Sequence, residues 1–149
     1  MAIDPGPVQS AWLLLDNGRI SHPGNMGIWP NEDLRAQLRP WASLRDVLVI
    51  EQIASYGMAV GAEIFATVHW AGRFHEAAHP GLVVLLPRLA VKTHLCHDSR
   101  AKDANIRAAL IDRFGGPTAI RKGGALYGVH ADLWSALALA VTYADMAAS

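Results

Sequence analysis

The chain has 149 residues, of which 52% are hydrophobic, and its 13 Lys and Arg balance its 13 Asp and Glu. That length suits one domain with a full core, the even spread of apolar residues excludes a disordered chain, and no apolar run reaches the roughly 18 residues that a bilayer span needs. Cys96 has no cysteine partner, which excludes an internal disulfide and fits a reducing, cytoplasmic setting.

Met1 to Asp4 is apolar and runs into Pro5-Gly6-Pro7, which predicts a strand breaking at a tight turn. Ala11 to Leu15 predicts a second strand. The Asn17-Gly18 pair behind Asp16 predicts a hairpin that returns through Arg19 and Ile20 to a third strand near Met26 to Trp29. Asn31-Glu32-Asp33 are helix-start residues, for a short helix to about Leu38 ahead of Pro40. Val47 to Ile50 is a continuous apolar run, the pattern of a strand buried on both faces, and it ends in Glu51. From Ala54 to about Phe74 there is no proline. Met58, Val60, Ile64, Phe65 and Val68 keep near-helical spacing, so a long helix is expected, with Gly57-x-x-x-Gly61 allowing close approach to the sheet or a second copy. Pro80-Gly81 ends it, Leu82 to Leu86 reads as another buried strand, and a helical turn follows Pro87 through about Leu95. Asp103 to Phe114 predicts an amphipathic helix closed by Gly115-Gly116-Pro117. Gly115 to Gly124 reads as a mobile loop, and Leu133 to Met146 as an almost wholly apolar, buried helix. The order β-β-β-α-β-α-β-α-α predicts a mixed α/β sheet of five strands with helices on its faces.

Charge is segregated along this order. Residues 88–122 hold eight basic side chains (Arg88, Lys92, Arg100, Lys102, Arg107, Arg113, Arg121, Lys122) against three acidic ones (Asp98, Asp103, Asp112), while the flanking segments are net acidic. A polyanion-binding enzyme with an acidic metal site needs that separation, although a solvated helix face gives it too. Hydrolysis of a phosphodiester by two metal ions about 4 Å apart needs carboxylates converging from different elements. Mg²⁺ or Mn²⁺ are the ions that hard oxygen ligands suit. Asp4 ends an apolar strand, Glu51 caps another, and Asp132 opens the last helix. Each has a plainer role open to it: Asp4 as a turn former, Glu51 as the first polar residue after a strand, and Asp132 as a helix N-cap.

Ile3-Asp4-Pro5-Gly6 resembles the opening motif of RuvC-type Holliday junction resolvases. Val49-Ile50-Glu51-Gln52 is similar to that family's second acidic strand end, and 102–115 to the segment before its final helix. His130-Ala131-Asp132 followed by 135–140 resembles its closing motif, so the likeness runs through nearly the whole chain in order. The resemblance implies one RNase H-like domain, with a mixed five-stranded sheet flanked by helices, over 1–149. It further implies a metal-dependent endonuclease of recombination and repair that cuts branched double-stranded DNA as a homodimer. Asp4, Glu51 and Asp132 would be metal ligands and His130 a ligand, a proton carrier or only a helix-entry residue. Lys92, Arg100, Lys102, Arg107, Arg121 and Lys122 would grip the DNA, with Lys102 the expected active-site cation. The closing motif departs at one place: Ser135 stands where the family usually has a second acid. A nuclease for flaps, and a junction-binding module without catalysis, are the other readings.

His75-Glu76-Ala77-Ala78-His79 spells the zinc-protease pattern H-E-x-x-H, but Pro80 directly after His79 disfavours helical geometry there. His94 and His97 around Cys96 lack a second ligand pair, and Trp12, Trp29, Trp41, Trp70 and Trp134 read as core.

Overall fold

The computed structural model describes residues 1–41 and 47–149. Its strands are β1 (Ala2–Asp4), β2 (Gln9–Leu13), β3 (Met26–Pro30), β4 (Val47–Gln52) and β5 (Leu82–Pro87). Its helices are α1 (Asn31–Trp41), α2 (Ala62–Ala77), α3 (Arg88–Cys96), α4 (Asp103–Arg113) and α5 (Leu133–Ala148). The strands form one mixed sheet in the order β3-β2-β1-β4-β5. Antiparallel pairing joins β3, β2 and β1, while β1, β4 and β5 run parallel. Among the described residues no helix is long and apolar enough to cross a membrane.

Side chains alternate across a strand, and that period sorts the core into two layers. Ala2, Val49 and Leu86 face one side, with Leu110 of α4, Val91 of α3 and the buried stripe of α5. Ile3, Leu48 and Ile50 face the other, with Leu34 and Leu38 of α1 and Phe74 of α2. Helix α5 lies against β1 and β2. Its Ala136, Ala138 and Ala140 let the backbone approach the sheet while Leu137 and Leu139 fill the space between.

Several expectations shift in detail. The hairpin forms at Asn17-Gly18, both in the left-handed region, but its return is a single bridge between Asp16 and Arg19, and regular pairing resumes only at β3. Helix α1 runs through Pro40 to Trp41, since proline tolerates helical φ in a last turn. Helix α2 starts eight residues later than expected. Tyr56 (φ 49) and Gly57 (φ 79) both take left-handed backbone, and Gly61 is the N-cap, so Gly57 and Gly61 share no helix face. The segment after Gly115 folds as successive closed turns: Gly124 N–H donates to Arg121 O, Leu126 N–H donates to Ala119 O, and Ala119 and Leu126 are buried. Helix α2 ends at Ala77, which leaves His79 outside it and removes the zinc-protease geometry. His94 Nε2 lies 2.7 Å from Asp145 Oδ2, and Arg113 grips the same carboxylate with two bonds of 2.6 Å, so this histidine ties α3 to α5.

One buried network fixes the turn after β1. Gly6 N–H donates to Ser10 Oγ at 3.0 Å, Ser10 Oγ–H donates to Asn31 Oδ1 at 2.6 Å, and Asn31 Nδ2 donates back to Gly6 O at 2.9 Å. Ser10 and Asn31 are 2% and 1% exposed. A Cβ on Gly6 would stand 2.3 Å from Gln9 O, so only glycine fits this turn. Asn31→Ala strands two buried polar partners, and urea unfolding should show a loss of about 2 kcal/mol; a change under 0.5 kcal/mol would contradict this account of the turn.

Candidate active site

Ile3 pairs with Ile50 across the parallel β1–β4 ladder, so the next residues along, Asp4 and Glu51, stand side by side at the strand ends. Strand alternation turns both toward the α5 layer, because Ala2 and Val49, two residues back, already face it. Glu51 in turn pairs with Leu86 on β5, and the chain leaves that strand through Pro87 into Arg88. Three parallel carboxyl ends thus bring two acids and one guanidinium to one edge of the sheet, the usual place for a site in such sheets.

Glu51 is 6% exposed, and its carboxyl neighbours that of Asp4 closely enough to raise its pKa. Burial first, then the Glu51 bond and charge, then the charge of Asp132, push Asp4 up to about 9, with Arg88 pulling the other way. Arg88 Nη1 lies 3.6 Å from Glu51 Oε1 and donates to Ser135 Oγ at 3.3 Å, while Nη2 donates to Asp103 Oδ1 at 2.5 Å. Burial works against the charge on Arg88, but the Asp103 bond and the Glu51, Asp103 and Asp4 charges outweigh it, and its pKa rises.

Asp132 occupies the N-cap position of α5, yet its side chain caps nothing, with φ −70 and ψ −7 instead of an extended cap conformation. Its carboxylate is exposed and near enough for its charge to act on Asp4. His130 is also exposed, and its Nδ1–H donates to Gly128 O at 2.8 Å, so that Nε2 is the basic nitrogen. Among the described residues no three His, Cys, Asp or Glu side chains gather into a complete ligand shell. The structure therefore joins Asp4 and Glu51 directly, sets Asp132 beside them within electrostatic range, and leaves His130 on the approach to α5.

The donor set fits a hard divalent cation. Oxygen ligands from two strand ends are held together at the expense of a raised Asp4 pKa, and a cation between them would offset that cost. Mg²⁺ retains several waters, so two protein carboxylates suffice to hold it.

Of the basic residues, Lys92 lines a cleft of about 320 Å³ beside the site with Tyr56, Arg88, Leu89 and Ser99. Lys102 is exposed at the start of α4, next to the Asp103 that Arg88 holds; the guanidinium that reaches Glu51 is that of Arg88. Arg107 stacks over the Trp134 ring at 4.8 Å, close to Asp132 in sequence. Arg100 points to solvent with Asp98 at 4.0 Å, and Arg121 and Lys122 are exposed on the turns after α4. Sequence reasoning missed the roles of Arg88 and Asn31. The signal for Arg88 was its place directly after the third apolar strand.

Neither a protein-family model nor a curated protein matches the chain. Solved structures do. Thermus thermophilus RuvC superposes with a TM-score of 0.62 at 20% identity, covering 97% of this chain and 94% of that one. The structure of T. thermophilus RuvC in complex with a Holliday junction substrate gives 0.60 at 19% identity, covering 97% and 92%. The chain has the fold of these RuvC structures, a mixed five-stranded sheet with helices on both faces.

Proposed function

We propose that this chain is a metal-dependent endonuclease that cuts branched DNA, with the four-way Holliday junction as its substrate. The observation that carries this reading is the Asp4–Glu51 pair, side by side at adjacent strand ends with Asp132 near enough to act on Asp4, in a fold whose solved relative was captured with a Holliday junction. Asp4 and Glu51 would hold Mg²⁺ or Mn²⁺ through hard oxygens, with Asp132 as the third acid of the site. A divalent ion there supplies stabilisation of phosphoryl charge and a nucleophilic hydroxide at neutral pH. Arg88 adds a fixed positive charge at Glu51, and His130 keeps Nε2 free to carry a proton. Lys92, Lys102 and Arg107 stand on α3 and α4 around this edge as phosphate contacts, and Arg100, Arg121 and Lys122 extend the basic face. The test is cleavage of a synthetic four-way junction with and without Mg²⁺, beside a flap and a linear duplex. Metal-dependent cutting of the junction first is expected, while binding without cutting overturns the nuclease reading in favour of a junction-binding module.

The homodimer has its own support. Ile64, Phe65 and Val68 on α2 and Leu82 and Leu85 on the edge strand β5 are exposed, Phe65 at 64% and Leu82 at 61%. Val68, Gly72 and Leu85 line one groove between the two elements. Apolar side chains on an open sheet edge are a liability for a monomer, and a two-fold partner would cover them and bring two sites to a symmetric junction. Phe65→Glu combined with Val68→Glu should shift sedimentation from dimer to monomer. A wild-type chain that sediments as a monomer at micromolar concentration contradicts the dimer.

A further inference from the structure

Arg88 enters the site straight from the end of β5, and three elements hold it: Glu51 on β4, Asp103 on α4 and Ser135 on α5. Its side chain is 27% exposed, against 82% for Asp103, so the guanidinium lies between the buried acid and a solvent-facing one. Such a fork is planar and rigid once its arms are bonded.

Ser135 lies three residues after Asp132, one turn along the same helix face. Its hydroxyl is no anionic ligand, and it already accepts from Arg88. Position 135 thus offers no carboxylate, and the guanidinium of Arg88 stands against it instead. A second ion would have to settle beside this guanidinium with a hydroxyl where position 135 could have supplied a carboxylate.

We propose that Arg88 takes the place of a second divalent cation, so that the site binds one ion at Asp4 and Glu51 and meets the substrate's remaining charge with a fixed guanidinium. This deepens the nuclease reading and rests on it. Asp4 and Glu51 would then hold the one ion that hydrolysis uses, and Arg88 would supply the second positive charge.

Counting Mn²⁺ on the metal-free full chain tests it, by calorimetry for stoichiometry and by electron paramagnetic resonance for coupling between ions. Wild type should take one ion per chain with no spin-coupled signal, and Asp4→Asn should take none. The double variant Arg88→Ala, Ser135→Asp exchanges the cation for a carboxylate and should take two coupled ions, whereas Arg88→Lys should stay at one. The Mg²⁺ dependence of junction cleavage by wild type is a check that needs no variant to fold: first order is expected, and second order overturns the proposal. Two ions on wild type, both lost in Asp4→Asn, overturn the role of Arg88 and leave the nuclease reading standing. No ion on wild type overturns both. A double variant that is folded by circular dichroism and still takes one ion also overturns it, because Arg88 is then not what excludes the second.

Discussion

Asp4→Asn is expected to stabilise the metal-free chain by up to about 4 kcal/mol at pH 7. The carboxyl of Asp4 moves from 3.8 to about 9 on folding, chiefly through burial and then through the Glu51 carboxyl beside it. At pH 7 the folded chain must retain a proton that the unfolded chain has given up across about three pH units, at about 1.4 kcal/mol each. The sign follows from linkage: a group that binds its proton more tightly when folded contributes its full stability below 3.8 and loses it as pH rises toward 9. Urea unfolding in EDTA at pH 5, 7 and 9 should show wild type weakening across that range and Asp4→Asn weakening far less. A site that is destabilising by itself is what function demands of clustered carboxylates. Parallel pH profiles for the two proteins would contradict the buried pair.

Cleavage should fall in a graded order when the acids are neutralised one at a time. Asp4→Asn and Glu51→Gln each remove one of the two directly joined ligands, and a loss on the order of 10³-fold or more is expected. Asp132→Asn should lose about 10- to 100-fold, the size of effect typical of a group that supports the ligands from outside. The distinction rests on geometry, since Asp4 and Glu51 stand side by side on paired strands while Asp132 is exposed at the head of α5. Measured rates on one four-way junction in Mg²⁺ decide it. Equal losses at all three positions would mean that Asp132 is a full ligand when the ion is bound.

The fold was legible because its strong signals are local. Val47 to Ile50 and Leu82 to Leu86 are unbroken apolar runs and both became parallel strands, but only β4 is buried on both faces. Strand β5 is the edge strand, and its Leu82 and Leu85 are exposed where a buried strand was expected, because among the described residues no further strand or helix covers them. Asp4 and Glu51 could be singled out as strand-end acids. That they touch depends on the β1–β4 register, which follows from packing across the sheet and leaves no mark in either segment. Positions 54–61 misled for a physical reason. Met58 and Val60 fit a helical period by chance, while Gly57 requires a left-handed turn that periodicity does not register. Asn31 carried a correct helix-start signal, but its side chain bonds back to Gly6 and Ser10 across 25 and 21 residues, a long-range role no local pattern encodes. Arg88 was hidden among eight basic residues, because charge counting does not tell a solvated lysine from a guanidinium held by three partners.

The proposed role of the paired Asp4 and Glu51 carboxylates is to hold a metal ion for cutting branched DNA. The measurement that meets it most directly is cleavage of a synthetic four-way junction in Mg²⁺ by wild type and by the Asp4→Asn and Glu51→Gln proteins, each shown to be folded. Wild type should cut the junction in preference to linear duplex and only with the metal present, and both variants should be inactive while still binding the junction. Variants that cut at the wild-type rate, or a wild type indifferent to Mg²⁺, would contradict it.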